Sequence, residues 1–248
     1  MKNPALDRAR RVGKETVRRG LYEAKTVVAA YPLFAIPIAR MRHGIPVGDD
    51  TQIVIEGFPR TGTSFAVAAF DMAQGGAVKI ACHVHAPAQV IEGARRGLPN
   101  LVIAREPEPT VISFIIRNRH ISFGQALRGY LRFYERLRPY RDRFVVGNFS
   151  DVTSDFGEIV RRVNERFGTG FAVFEHTREN VQRCFEAIDG DYRGRVASGE
   201  PLERQVARPS EWRDRKKEEM RSSYRSADAR LRARAERVFR ALADAPGE

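Results

Sequence analysis

Short apolar runs alternate with longer amphipathic segments from residue 50 onward. The apolar runs predict buried strands at residues 52–56, 78–83, 101–104 and 144–146. Helical spacing predicts a helix at residues 64–72, and a capping box at Ser122 and Gln125 predicts the start of a second one. Buried strands that alternate with helices of crossover length indicate an α/β fold, a three-layer α/β/α arrangement around a central parallel sheet. Ligands of such sheets bind beyond the carboxyl ends of the strands.

The N-terminal segment has the pattern of a basic amphipathic helix. Its apolar positions Val17, Leu21, Ala24 and Val28 share one helical face. We expect this face to pack on the core and the basic face to be solvated, with attachment to a membrane surface as the alternative. The uncharged residues 26–39 include two prolines and are too few to span a bilayer, so we expect neither a span nor a secretion signal.

The C-terminal region is rich in charge but keeps one helical stripe. Apolar positions within residues 231–242 predict a packed helix, whereas the charged run at residues 212–225 is typical of a solvated surface. No repeat or low-complexity linker divides the chain. We therefore expect a single domain, with a basic helical extension at residues 1–49 packed on or beside a nucleotide-binding core at residues 50–248.

Composition narrows the class of protein. The chain has 248 residues, of which 42% are hydrophobic, and this fraction excludes a disordered chain and a membrane bundle. Cys82 and Cys184 are too far apart in sequence to suggest a disulfide framework, so a reducing, cytoplasmic location is expected. The net charge of +12 is compatible with nucleic acid, a membrane surface or a small polyanion. It is concentrated at residues 1–42 and 117–143.

A glycine-containing loop, Gly57-Phe-Pro-Arg-Thr-Gly-Thr-Ser64, follows the first predicted strand and opens the first predicted helix. Backbone N–H groups of such a loop and the helix N-terminus can surround a phosphate. Nucleoside triphosphatases place a lysine after the second glycine, but this chain has Thr63 there, and its cation is Arg60. The third predicted strand ends at Arg105 rather than at an acidic Mg²⁺ ligand. This pattern favours an anion site without a metal.

The loop resembles the 5′-phosphosulfate loop of sulfotransferases that use 3′-phosphoadenosine 5′-phosphosulfate (PAPS), in the residues Pro59, Arg60, Thr61, Gly62, Thr63 and Ser64. A second motif of that family, which holds the 3′-phosphate, is similar to Arg105, Pro107 and Ser113. The two motifs occur in the family's order, and the resemblance extends loosely over residues 52–212.

The resemblance implies a P-loop-like sulfotransferase architecture, with PAPS as co-substrate and no metal requirement. A sulfuryl group would pass to a hydroxyl or amine of a small-molecule, lipid or saccharide acceptor. Thr63 and Ser64 would bind the 5′-phosphate, and Arg60 would neutralise the leaving phosphate. Glu56, just before the loop, is expected to orient Arg60.

Contacts to the rest of the nucleotide are implied less directly. Phe149 resembles the position of a family tyrosine that lies near the adenine. Arg208 and Ser210 occupy the place of a C-terminal 3′-phosphate segment, although the glycines of that segment are missing here. These residues complete the expected donor site.

His83 and His85 are the only clustered bases. If the strand continues through them, both imidazoles point the same way, into the site. His85 precedes Ala-Pro, similar to the family's catalytic histidine, so we expect His85 to be the general base and His83 a supporting or alternate one. An ordinary histidine is mostly neutral at cytosolic pH. The alternatives are a metal site made with Cys82, for which a fourth ligand is lacking, and plain polar residues at a strand end.

Two other functions remain open at this stage. One is a divergent P-loop kinase of nucleotides or small molecules, which the missing lysine argues against. The other is a non-enzymatic basic module that binds anions or an anionic membrane. No motif for nucleic acid is present, so no nucleic-acid partner is expected. Peripheral association with an anionic membrane is compatible with all three functions, and the oligomeric state is open.

Overall fold

A parallel sheet forms the centre of the molecule in the computed structural model, which describes residues 4–41, 44–193 and 210–243. Its strands are β1 (Ile53–Gly57), β2 (Ile80–Cys82), β3 (Asn100–Ala104) and β4 (Val145–Asn148). They lie in the order β2-β1-β3-β4, and every neighbouring pair is parallel. The predicted α/β class with a central parallel sheet is confirmed.

Helices cover both faces of this sheet. They are α1 (Pro4–Val28), α2 (Pro32–Arg40), α3 (Thr63–Ala73), α4 (Pro87–Arg95), α5 (Pro107–Arg117), α6 (Phe123–Leu137), α7 (Phe149–Ser154), α8 (Phe156–Phe167), α9 (Arg178–Arg193), α10 (Glu211–Arg225) and α11 (Ala229–Ala243). Adjacent strand residues point to opposite faces, so Val54 joins a core with α4, α5, α6 and α11, and Ile55 joins a core with α3, α8 and α9. This arrangement confirms the three predicted layers.

The order of the strands reverses at β1. The chain moves from β1 to β2 on one side and then crosses to β3 on the other side, where Gly57 is paired with Ile103. Ligands of open parallel sheets bind in the crevice at such a reversal, beyond the carboxyl ends of the strands. The loop after β1 and the residues after β3 therefore lie where a ligand is expected.

Most predicted element bounds agree with the structure to within two residues, but β2 differs. It ends at Cys82, so the condition under which both imidazoles were expected to point the same way, a strand that continues through His83 and His85, is not met. The predicted helix start acts as expected. The side chains of Ser122 and Gln125 form a reciprocal capping box at the start of α6. Gly168 takes the left-handed conformation that ends α8.

The N-terminal helix packs in the opposite sense to the one predicted. Val17 and Leu21, which were expected to face the core, are 62% and 64% exposed. The opposite face contacts α6, where Glu23 forms ion pairs with Arg128, at 2.7 Å, and with Arg132. No helix within the described ranges has the length and apolar character needed to cross a bilayer.

The charged run at residues 212–225 is also not a uniformly solvated surface. It forms α10, and two of its polar side chains, Arg213 and Tyr224, are buried among α5 and its neighbours. Arg213 is only 2% exposed. This inward-facing arginine becomes important at the carboxyl end of the sheet.

Candidate functional site

The loop between β1 and α3 is shaped by its two glycines. A Cβ atom at Gly57 would lie 2.6 Å from both the Ile103 carbonyl oxygen and Thr61 Oγ1, so no larger residue fits there. Gly62 has a φ of 99° and directly precedes α3, which begins at Thr63. The first N–H groups of α3 therefore belong to the loop, as in other anion-binding loops.

The buried hydroxyl groups of Tyr134 and Thr61 stabilise this loop through hydrogen bonds. Tyr134 on α6 donates to the Ile103 carbonyl oxygen at 2.8 Å and accepts from the Phe58 N–H at 3.4 Å, so it joins the ends of β1 and β3. Thr61 Oγ1 donates to the Phe58 carbonyl oxygen at 2.8 Å. Because Thr61 is fully buried, its hydroxyl stabilises the loop rather than lining a cavity.

Arginine side chains from three elements meet beside the loop. The buried hydroxyl of Ser113, on α5, accepts from Arg60 Nε at 3.2 Å and from Arg213 Nη2 at 2.7 Å. Arg105, after β3, donates from Nη1 to the Arg60 carbonyl oxygen at 3.5 Å. Its guanidinium carbon lies 3.7 Å from the ring centroid of Phe149. The loop, β3, α5 and α10 thus build one cationic cluster, which consists of Arg60, Arg105 and Arg213.

The electrostatics of this cluster favour an anion. Burial and then the charges of Arg213, Arg117 and Arg105 lower the pKa of Arg60 to about 9. Burial and then Arg105 lower the pKa of Arg213 to about 10. The charged forms therefore carry a cost from desolvation and mutual repulsion. A bound anion would offset that cost, because opposite charge near a partly desolvated cation restores the stability of its charged form.

A cavity of about 500 Å³ opens beside the cationic cluster. Most of the donor-site residues proposed from sequence line it, namely Pro59, Arg60, Gly62, Thr63, Ser64, Arg105 and Phe149, and so does His85, the proposed base. Ser113 lies behind this wall and contacts arginines instead. Ser210 caps α10, where its Oγ accepts from the Arg213 N–H at 3.3 Å. Arg208 lies outside the described residues.

A second, larger cavity of about 1440 Å³ adjoins the first one. The two cavities share the lining residues Ser64, His85, Arg117, Ile188 and Tyr192. His83 lines only the larger cavity, whose other walls combine apolar side chains, such as Val67 and Met72, with charged ones, such as Asp71, Lys79 and Asp191. His85 therefore lies at the junction of the two cavities.

The segment after β2, residues 83–86, is a strained loop rather than a strand, and we call it the histidine loop. His83 and His85 have φ values of 61° and 53°, and their ring centroids are 5.9 Å apart. Among the residues described, the only other non-glycine residue with a positive φ is Arg60. Such backbone conformations cost free energy and are concentrated at functional sites. Strain thus coincides with the residues proposed from sequence for the chemistry, although the condition of the strand argument for the histidines is not met.

The protonation of His85 follows from its contacts. Its Nδ1 lies 2.9 Å from the Gly57 carbonyl oxygen, which can only accept, so Nδ1 carries the proton and donates. Burial is the main cause that lowers the pKa of His85 to about 3, and the nearby charges of His83, Lys25 and Arg117 act in the same direction. The ring is therefore neutral at pH 7, and its Nε2 can accept a proton.

Glu56 holds the histidine loop, a role that the sequence did not suggest. Its carboxyl group is completely buried, and Oε2 accepts from the Ala86 N–H at 3.3 Å. Backbone N–H groups of His83, Val84 and His85 also contribute hydrogen bonds, yet burial dominates and raises the pKa of Glu56 to about 8. The expectation that Glu56 orients Arg60 is replaced by this contact. A charged residue inside an otherwise apolar strand was the sequence signal for an unusual role.

Arg213 is the other site residue that sequence analysis missed. It stands in a run of charged residues on α10, and nothing in that run marks one arginine as inward-facing. Only the contact between α10 and α5 selects it, since that packing brings Arg213 onto Ser113.

The alternative of a metal site has no support from the geometry. Within residues 4–41, 44–193 and 210–243, no group of three or more His, Cys, Asp or Glu side chains is arranged to hold a metal ion.

The fold and this site define an α/β protein with a glycine-containing loop and a cluster of arginines at the reversal point of a parallel sheet. No family model and no curated protein matches the chain. Among solved structures, the chain is similar to mouse sulfotransferase SULT7A1 complexed with PAP, with a TM-score of 0.37 and 10% sequence identity. The similarity covers 77% of this chain and 90% of that chain. At this level it bears on neither activity nor ligand.

Proposed function

We propose that the protein is a PAPS-dependent sulfotransferase. The observation that carries the proposal is the position of His85, a neutral imidazole at the junction between a cavity lined by arginines and a larger cavity whose lining mixes apolar and charged side chains. Sulfuryl transfer needs a donor site for a polyanion, an acceptor site next to it, and a base between them. The protein would act in the cytoplasm, where Cys82 and Cys184 stay reduced.

The smaller cavity would bind the donor. Arg60, Thr63 and Ser64, together with the N-terminus of α3, would bind the 5′-phosphosulfate. Arg105 would bind the 3′-phosphate, and Arg213, which lies behind the cavity wall on Ser113, would add positive charge to this end of the site. A cavity of about 500 Å³ is within the usual range for a ligand of nucleotide size.

The remaining donor residues would act in different ways. Ser113 would orient Arg60 and Arg213, because its hydroxyl already accepts from both. Ser210 would act through the start of α10, since it caps the helix that carries Arg213. Phe149, which stacks on Arg105 and lines the cavity, is proposed as the neighbour of the adenine. Arg208 keeps its proposed place near the 3′-phosphate as a prediction.

The transfer step uses groups at the junction. The acceptor hydroxyl oxygen attacks sulfur while His85 Nε2 takes the hydroxyl proton, with His83 in support. The bond between sulfur and the bridging oxygen breaks, and its electron pair stays on the 5′-phosphate of the departing 3′-phosphoadenosine 5′-phosphate (PAP). Arg60 and the α3 N-terminus would stabilise this developing charge. Because these groups supply the positive charge, the scheme needs no metal ion.

Donor binding would also activate the base. In the protein alone, burial and neighbouring cations hold the pKa of His85 at about 3, which makes it a weak base. An anionic donor in the adjoining cavity would raise that pKa, because it stabilises the imidazolium form. The base would thus become effective when the donor is in place.

The larger cavity would bind the acceptor. Its walls combine apolar side chains, Val67, Met72 and Ile188, with charged ones, Asp71, Lys79 and Asp191, so an acceptor with an apolar body and a polar group fits. A small apolar molecule or a lipid that carries a hydroxyl or amine is the proposed class.

Thermal unfolding with product nucleotide tests the donor site. Saturating PAP at about 100 times its dissociation constant should add about 2.7 kcal/mol to the free energy of unfolding. Arg105→Ala should lose most of this gain, whereas Arg119→Ala, a matched change of an exposed arginine, should keep it. Absence of stabilisation by PAP, together with equal or better stabilisation by Mg²⁺-ATP, would show a kinase-like site instead. No response to any nucleotide would favour a non-enzymatic anion-binding module. With PAP binding established, a screen of candidate acceptors with labelled PAPS would identify the substrate.

A further inference from the structure

The N-terminal helix presents its apolar stripe to the outside. Val17 and Leu21 lie on one face, and Tyr22 and Thr26 lie on the opposite face, where they contact α5 and α6. Amphipathic helices on a folded domain normally bury the apolar face. The stripe of α1 is therefore an apolar face without a partner among the described residues.

The next helix extends this exposed apolar surface. Leu33, Phe34, Ile38 and Met41 lie within an arc of about 140° on α2 and the residue after it. Leu33 and Met41 are 84% and 88% exposed, and Phe34 and Ile38 are also exposed. The other side of α2 is buried, and its residues are Ala35, Ile36 and Ala39. We call the four exposed side chains the apolar ridge.

Cations border the apolar surface. Lys14 and Arg18 are exposed beside the α1 stripe, and Arg40 is exposed on α2 next to the ridge. Residues 1–42 contain ten Lys and Arg against three Asp and Glu. A second copy of this face would bring like charges together, because an isologous interface pairs a surface with itself. An anionic lipid surface satisfies both the apolar side chains and the cations.

We propose that the apolar ridge docks the protein on an anionic membrane surface. The ridge enters the interface between headgroups and acyl chains, and the bordering cations contact the anionic headgroups. The protein lies on the membrane and does not cross it. Docking needs no sulfuryl transfer, so this proposal does not depend on the proposed function.

The ridge is connected to the junction of the two cavities. Ala35 on α2 packs with Ala86 and Ala88, which directly follow the histidine loop. Ile45, four residues after Met41, pairs with Cys82, is exposed, and lines the larger cavity. Docking through the ridge therefore brings a wall of the larger cavity close to the lipid surface.

Vesicle flotation of the full chain tests the proposal. The probes are phosphatidylcholine vesicles alone and vesicles with about one third phosphatidylglycerol, without nucleotide. The wild-type protein should float with the anionic vesicles at least about tenfold better than with the neutral ones, and salt should weaken binding. The double variant Leu33→Ser/Phe34→Ser should lose at least about tenfold in partitioning to anionic vesicles. Val173→Ser, a change of an exposed apolar side chain elsewhere, should bind like the wild type.

The opposite outcomes are distinct. Since Leu33 and Phe34 are exposed, circular dichroism should show that the double variant keeps the wild-type fold. Equal flotation of the double variant and the wild type overturns the docking role of the ridge. Failure of the wild type to bind anionic vesicles also overturns it. A wild-type dimer in analytical ultracentrifugation that the double variant converts to a monomer, without vesicle binding, assigns the ridge to a second copy.

Discussion

Arg213 is buried beside Ser113 at the carboxyl end of the sheet, whereas Leu33 on α2 is almost fully exposed. In most proteins arginine is at the surface and leucine is in the core. Each departure costs free energy in the protein alone, through desolvation of charge in one region and hydration of apolar surface in the other. In the two proposals, a complementary partner would offset each cost: an anion at the cationic cluster and a lipid surface at the apolar ridge.

The two regions differ in how they are supported. Buried hydrogen bonds hold the cationic cluster and the histidine loop. Tyr134 donates to the end of β3, Ser113 accepts from Arg213, and Glu56 accepts from the N–H of the residue after His85. The side chains of the apolar ridge are exposed, and the buried residues of α2 behind them are Ala35, Ile36 and Ala39. Substitutions at the cluster should therefore change ligand binding, chemistry and stability together. Substitutions at the ridge should leave folding almost unchanged.

The largest effect is expected at His85. His85→Ala should lower turnover by about 10²- to 10⁴-fold, because it removes the base that accepts the acceptor proton. Donor binding should stay within about threefold of wild type, since the substitution spares the cationic cluster. Single-turnover assays with labelled PAPS and titration calorimetry with PAP measure the two quantities.

His120→Ala provides the matched control for that variant, because the His120 side chain lies outside both cavities. It should keep wild-type turnover. If His85→Ala also retains turnover, the base is His83 or another group. The position of His85 between the two cavities then has no role in catalysis.

A smaller effect is expected at the buried arginine. Arg213→Met keeps most of the side-chain volume and removes one charge, so PAP binding should weaken by about 10- to 100-fold. The free protein should also lose some stability, because Arg213 loses its hydrogen bond to Ser113, although repulsion from Arg105 is relieved. Calorimetry and thermal unfolding, with Arg215→Met on the exposed side of α10 as control, measure both. Unchanged PAP affinity would remove Arg213 from the donor site.

Sequence analysis identified the layers and the loop because both depend on local signals. The apolar runs predict buried strands, and Gly57 and Gly62 are needed by the turn itself. The left-handed conformations of His83 and His85 were not predictable. They depend on hydrogen bonds from the backbone of this loop to Glu56, which lies on β1.

The same limit explains the two errors of orientation. Arg213 faces inward because α10 packs on α5, and no periodicity within α10 indicates this. The stripe of α1 faces outward because Glu23 meets Arg128 and Arg132 on α6, more than a hundred positions away in sequence. Amphipathic periodicity locates a face, but the partner decides which face is buried.

The smallest predicted effect concerns Glu56, the buried carboxyl group that holds the histidine loop. Burial raises its pKa from an ordinary 4.5 to about 8, so the folded protein keeps it protonated across a range in which the unfolded chain ionises it. Unfolding then releases a proton, and the contribution of Glu56 to stability is full below about pH 4.5 and is lost as the pH rises towards 8. Glu56→Gln has no proton to release, so it should lack this loss.

Urea unfolding between pH 5.5 and 7.5 measures that difference. The free energy of unfolding of the wild type should fall relative to Glu56→Gln by up to about 1.4 kcal/mol per pH unit, the limit for one proton. Comparison of the two proteins cancels the opposite contribution of His85, whose lowered pKa makes stability rise with pH below about 6.5. Glu175→Gln, at an exposed position, should follow the wild type. Parallel curves for wild type and Glu56→Gln would mean that Glu56 is ionised in the folded protein. The histidine loop would then be held by an ionised carboxylate. The negative charge of that carboxylate would partly offset the positive charge of the cationic cluster.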